Sequence, residues 1–303
     1  MRKMSKRTKR AERGIRVEEV IVPGAADVGA GVKARVLIGW MSPNQSNTFI
    51  RAFASDDDEV VRLTRAGEAC RQSVKALDRT LDQSGLIQEM PATLAFHVGQ
   101  FCDSALGKLA ISEGFRVAFV DLTKVVAFQP YVRQASVRNH SLRVSPGDET
   151  SAGRIALPID FRTEMRARFD SHSGTWHISS LDQNLRPVSQ LGHPNADGTI
   201  SVGFNFAVPP SLVKVQTYKG RSYLSDGYHR TVALLRRGFT ESLALVREVA
   251  EFEQLGALGH LPFDAFTGDS PPLLTDYWDN RLSVELNVPG GARHFLVKPQ
   301  QLS

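Results

Sequence analysis

The hydrophobic period changes twice between Leu212 and Val249, and this constrains the fold more tightly than any other feature of the chain. Val213, Val215 and Thr217 alternate with Lys214, Gln216 and Tyr218, the two-residue period of a strand. Lys219-Gly220 reads as a two-residue turn, so Arg221 to Ser225 pairs back as a hairpin. Asp226-Gly227 then breaks the strand. Tyr228 to Arg237 reads as a short helix with Val232, Ala233, Leu234 and Leu235 inside. Arg236 and Arg237 suit the negative end of its dipole, and Gly238 takes the position just past its end. Leu243 to Val249 returns as a strand, which completes a strand–loop–helix–strand unit.

The turn that opens this helix has the residue types of an anion site. Gly227 adopts positive φ without strain and lets a ligand approach the backbone. A helix start presents free N–H groups and the positive end of the dipole. Arg230 in the first turn can fork onto phosphate oxygens, and His229 is a second donor. The candidate phosphate-binding residues are therefore Gly227, Tyr228, His229, Arg230 and Thr231, with Asp226 and His229 as the candidate catalytic pair. Asp226 is also a candidate helix cap or, through phosphates, a metal contact. An ordinary Asp-Gly turn beside a surface arginine is the plainer account of the same letters.

Tyr223-Leu224-Ser225-Asp226-Gly227-Tyr228-His229-Arg230, with Ala233 and Gly238, resembles the nucleotide-binding box of the ParB/sulfiredoxin superfamily, Gly-x-x-Arg-x-x-Ala after a strand. Val125 to Pro130 (VVAFQP) resembles the segment that opens such domains. The resemblance implies a small α/β fold binding ATP or CTP, with or without Mg²⁺, and Gly227, His229 and Arg230 at the phosphates. Sulfiredoxins carry a catalytic cysteine just after the motif glycine, where this chain has Tyr228, so sulfiredoxin activity is not expected. Chromosome-partition ParB proteins have Glu and Arg where this chain has Tyr228 and His229, and they continue into helical DNA-binding domains.

The expected architecture is α/β: a ParB/sulfiredoxin-like mixed sheet with helices over 116–250, an N-terminal α+β region over 17–115, and a C-terminal loop and β-hairpin over 251–303. Within it, Val32 to Met41 reads as a strand and Ser42 to Thr48 as a polar loop. Val60, Leu63, Gly67, Cys70, Val74, Leu77 and Leu81 make one helical stripe, preceded by Ser55 as a start signal. Pro91 to Leu109 reads as a second long helix and Arg116 to Val120 as a strand. Residues 139–155 and 170–200 read as loops, and 162–169 as a short helix. Leu282 to Val288, a Pro289-Gly290-Gly291 turn and Ala292 to Lys298 read as the closing hairpin.

Charge is concentrated at the N-terminus. Residues 1–16 hold eight Lys or Arg against Glu12, although the whole chain is only +5. This basic stretch reads as a disordered arm that contacts DNA, if at all, through charge alone, since no aromatic residue is interleaved. Cys70 and Cys102 are too far apart for a CxxC site and suit a reducing cytoplasm. No apolar run is long enough to span a membrane. Gly29 to Ala34 carries the letters of a dinucleotide fingerprint but precedes a strand rather than a helix. His172 and His177 share no face at their spacing, so with His193 they read as loop residues and not as a metal site.

Three functions fit these readings. The first is a nucleotide-binding protein in a DNA-related process, as a weak NTPase or a nucleotide-gated switch. The second is a metal-dependent phosphodiesterase or nuclease using Asp226 and His229. The third is a non-catalytic scaffold of the same fold.

Overall fold

A computed structural model describes residues 12–22, 32–159, 165–180, 184–256, 261–288 and 292–302. The fold is mixed α/β. The chain divides into two compact units, one of Ala30–Phe161 with Ser211–Pro289, the other of Met1–Gly29, Arg162–Pro210 and Gly290–Ser303. These units cut across the boundaries expected at 115/116 and 250/251, because the chain leaves the larger unit after Phe161 and re-enters it at Ser211.

The larger unit is built on a five-stranded sheet in the order Arg221–Asp226, Lys214–Tyr218, Glu241–Glu248, Arg116–Asp121, Ile87–Gln88. Lys214–Tyr218 runs parallel to Glu241–Glu248, and the other pairings are antiparallel. The helix Tyr228–Arg236 lies between those parallel strands in sequence, as their shared direction requires. Ser242 to Val246 are all buried, which explains why that strand reads as an unbroken apolar run instead of an alternation. The helix Glu149–Ala156 packs on this strand. A second sheet pairs Val32–Val36 with Val284–Val288 and Tyr131–Arg133, all antiparallel.

Several elements differ from expectation for identifiable reasons. The strand from Val32 ends at Val36, and Ser42 to Thr48 is helical, within Pro43–Phe53. Ser42 caps that helix by accepting from the Gln45 N–H, with proline at its first position. The long apolar stripe is helical only over Asp57–Lys75. Its cap is Asp56, which accepts from the Glu59 N–H at 2.7 Å, while Glu59 accepts from the Ser55 N–H at 2.8 Å. Pro91 to Leu109 forms two helices, Ala95–Asp103 and Ala105–Ser112, because Ser104 adopts an extended conformation and caps the second. The polar stretch 139–155 contains helical residues, within Gln134–Ser141 and Glu149–Ala156.

The closing hairpin does not form. Val284–Val288 pairs with Val32–Val36 in the larger unit, whereas Ala292–Leu302 pairs with Glu12–Val22 and Thr175–Ser180 in the smaller one. The turn expected at Pro289-Gly290-Gly291 lies outside the described residues, as do 1–11, 23–31 and 160–164.

The smaller unit contains an antiparallel sheet in the order Glu12–Val22, Ala292–Leu302, Thr175–Ser180, Arg166–Asp170. A two-stranded ribbon, Arg186–Pro194 with Ile200–Ala207, completes it. Two expectations are corrected here. Residues 12–16, read as part of a disordered arm, begin a strand, and 166–170, read as helix, are strand. No described helix is long and apolar enough to cross a membrane.

Candidate anion-binding site

A tight hairpin aims the chain at the site. Lys219 and Gly220 both have positive φ, 48° and 76°, which is the type I′ geometry that matches strand twist. The pairing then shifts register between Lys214 and Val215, so the strand end at Asp226 is re-aimed before the helix starts. Gly227 follows in the left-handed conformation, with φ 87° and ψ 19°. A Cβ there would stand 2.7 Å from the Leu212 carbonyl oxygen and 2.8 Å from Val213 Cα. The backbone that approaches this glycine is therefore the protein's own.

Asp226 is fully used in closing the turn. Its Oδ1 accepts from the Gly227 N–H at 2.7 Å and from Ser211 Oγ at 2.8 Å, and its Oδ2 accepts from the Leu212 N–H at 3.3 Å. It does not cap the helix, whose cap position is Gly227 with no side-chain bond. The first intrahelical donor is the Thr231 N–H, bonded to the Gly227 carbonyl at 2.9 Å. The N–H groups of Tyr228, His229 and Arg230 thus precede the helical ladder, where an anion would meet them.

The side chains of the box point largely inward, against expectation. Tyr228 is 4% exposed, and its hydroxyl accepts from the Phe128 N–H at 2.9 Å and the Gln129 N–H at 3.3 Å. Burial raises its pKa well above that of a free phenol. Arg230 is 6% exposed and donates from Nη1 to the Ile155 carbonyl at 2.7 Å. Thr231 is fully buried and donates to the Gly227 carbonyl at 3.0 Å. These three fasten the helix to its surroundings. Val232, Ala233 and Leu234 of the same helix are buried with them.

What gathers around this helix start is a cluster of arginine and histidine side chains. The helix Gln134–Ser141 packs against Tyr228–Arg236 and brings His140 beside Arg230 and His229. Burial pushes the His140 imidazole down to about 3, and the charges of Arg230, His229 and Arg143 act in the same direction. His229 accepts the Arg133 N–H on Nε2 at 3.0 Å, and burial with the Arg133 charge pushes it down to about 4. No carboxylate of the described residues is among the charges acting on either histidine. Arg133 Nε and His140 Nδ1 are buried with no hydrogen-bond partner among the described residues. An anion here could accept from the Arg133 guanidinium and would favour the protonated form of His140.

Arg133 and His140 were missed in the sequence. Arg133 follows the VVAFQP segment by only a few residues, which is a signal; His140 lay in a stretch read as loop. Two cavities of the larger unit lie elsewhere. One, of about 240 Å³, is lined by Phe119, Glu149, Gly238 and Leu243, and the other, of about 350 Å³, by Trp40, Arg71 and Asp264. Among the described residues no three His, Cys, Asp or Glu side chains are grouped to hold a metal ion. Comparison with protein families, characterised proteins and solved structures gives no match to this chain.

Proposed function

We propose that the protein binds a phosphate-bearing ligand, a nucleoside triphosphate of the ATP or CTP kind, at the start of the helix Tyr228–Arg236. The observation that carries this reading is the gathering of Arg133, His140, His229 and Arg230 about one helix start. The likeness of the box to ParB/sulfiredoxin nucleotide sites supports the nucleotide over a simple anion. In this reading the helix N–H groups, Arg133 and His140 hold the phosphates, while Tyr228 and Thr231 fix the helix that presents them. A weak NTPase and a nucleotide-gated switch differ only in turnover, so release of inorganic phosphate separates them.

Equilibrium dialysis with ATP, CTP, GTP and inorganic phosphate, each with and without Mg²⁺, is the test. Arg133→Ala and His140→Ala are each expected to weaken binding roughly ten- to a hundredfold, the loss of about 1.5–3 kcal/mol for a hydrogen bond to a charged group. Equal affinity in wild type and both variants would sink the assignment.

A second reading is the non-catalytic scaffold. It draws on the inward bonds of Tyr228, Arg230 and Thr231, which serve the fold without any ligand. Absence of binding to all four ligands by the folded protein would favour it. The phosphodiesterase reading has less to draw on, because Asp226 is held by three hydrogen bonds and His229 is neutral at pH 7.

A further inference from the structure

We infer that a cavity of the larger unit, bounded by Trp40, the end of the helix Asp57–Lys75 and the segment 262–270, binds a small zwitterion of the amino-acid kind with an apolar side chain. This is independent of any ligand at the Gly227 turn. The cavity holds about 350 Å³, at the small end of the range for small-molecule sites.

Two segments of opposite charge line it. Arg71 and Lys75 are one turn apart, on the same face of their helix, and both reach the cavity. Asp264 and Asp269 line it from the helix Phe263–Thr267 and the turn that follows. Among the described residues no ion pair joins these cations to these carboxylates. The two signs therefore share one cavity without neutralising each other directly.

Arg71 carries an unused donor. Its side chain is only 13% exposed, and its Nε and Nη2 donate to Glu68 Oε2 at 3.1 and 2.6 Å. Its Nη1 is buried with no hydrogen-bond partner among the described residues. Glu68 thus holds one edge of the guanidinium and leaves the rest of the fork for a ligand carboxylate.

The acidic segment is held in place before any ligand arrives. Trp40 Nε1 donates to the Ser270 carbonyl at 3.0 Å, and the Gly268 N–H donates to the Asp264 carbonyl at 2.9 Å. Arg221 Nη1 donates to the Gly268 carbonyl at 2.5 Å. Such bonds reduce the ordering cost of binding.

Charge and lining together select the ligand. A simple anion in this space meets Asp264 and Asp269, and a simple cation meets Arg71 and Lys75. A zwitterion offers each segment its opposite. Its carboxylate accepts from Arg71 and Lys75, and its ammonium donates to the aspartates. An apolar side chain then lies against Trp40, Val74, Pro262 and Ala265 of the same lining.

The test is titration calorimetry of the full chain with three probes that differ by one group. L-leucine carries both charges, isocaproate lacks the ammonium, and isoamylamine lacks the carboxylate. L-leucine is expected to bind at least about tenfold more tightly than either, since each analogue loses a bond to a charged group. Asp264→Asn with Asp269→Asn should remove the preference over isocaproate and keep that over isoamylamine. Arg71→Gln with Lys75→Gln should do the reverse, and exposed Lys75→Gln alone should do so in part. A merely structural loss would remove both preferences together. Absence of L-leucine binding to the folded wild type would overturn the proposal. So would either analogue bound as tightly as L-leucine, or both preferences unchanged in the folded variants.

Discussion

His229 Nε2 accepts the backbone N–H of Arg133 at 3.0 Å, which fixes the imidazole as the neutral tautomer with its proton on Nδ1. Protonating Nε2 would break that bond inside a buried, cation-rich surrounding, and the histidine is accordingly pushed from 6.5 down to about 4. His140, beside it, is pushed down to about 3.

A pH dependence of stability follows from these two histidines. Unfolded, they take up protons near pH 6.5; folded, only near 4 and 3. Between those values the unfolded chain binds more protons, so stability is full above about pH 6.5 and falls as the solution acidifies towards 4. For His229 alone the loss is on the order of 3 kcal/mol. Urea denaturation at pH 7, 5.5 and 4.5 should show a falling midpoint, less steep in His229→Gln. A profile that is flat for wild type would contradict the buried neutral pair. Bound phosphate should reduce the loss, because an anion beside His140 favours its protonated form.

Tyr228→Phe isolates the inward role of the box. The hydroxyl accepts two backbone N–H groups, of Phe128 and Gln129, and its removal takes that acceptor away. The expected cost is about 1–3 kcal/mol in chemical denaturation, with phosphate affinity unchanged. A large drop in phosphate affinity at unchanged stability would place the hydroxyl at the ligand instead. Arg230→Ala is a poor binding test for the related reason that its guanidinium supports the Ile155 carbonyl.

The strand–turn–helix–strand unit was legible because each of its signals is local. Alternation over Val213 to Tyr218, glycine in the Lys219-Gly220 turn and the Asp226-Gly227 break need no distant partner to be read. The direction of Tyr228 and Arg230 was not legible, because it depends on the Phe128 N–H and the Ile155 carbonyl, which are remote in sequence. The same holds for His140, whose place beside Arg230 comes from helix packing. The closing hairpin failed for a different reason. Alternation in Val284–Val288 and Ala292–Leu302 is sound for both strands, but periodicity does not name a partner, and each found a better one in another sheet.

The ion pair of half-buried Arg79 with buried Asp276 should be among the most sensitive points of the larger unit. Asp276 is 4% exposed and accepts from Arg79 Nη1 at 2.9 Å, Arg79 Nη2 at 2.6 Å and the Leu273 N–H at 2.7 Å. Removing one partner leaves the other charge buried and uncompensated, so Arg79→Ala is expected to cost about 3–5 kcal/mol. The double variant Arg79→Met with Asp276→Leu should recover much of that loss. Thermal unfolding of the single and double variants checks it, and additive losses would mean the pair is not coupled.

Two glycines separate backbone strain from steric clash. Gly220 and Gly227 have similar φ, 76° and 87°, a region costly to any residue with a Cβ. A Cβ on Gly220 meets no atom within 4 Å, whereas on Gly227 it would press on the Leu212 carbonyl and Val213 Cα. Gly220→Ala should therefore cost only the conformational strain, about 1–2 kcal/mol. Gly227→Ala adds overpacking of about 1–3 kcal/mol, because the obstructing atoms are backbone and cannot rotate aside. Its total should reach roughly 2–5 kcal/mol. Parallel urea melts of the two variants give the difference directly. If Gly227→Ala loses no more than Gly220→Ala, the chain at Leu212 and Val213 yields freely, and the tight closure of this turn is not what holds the helix start in place.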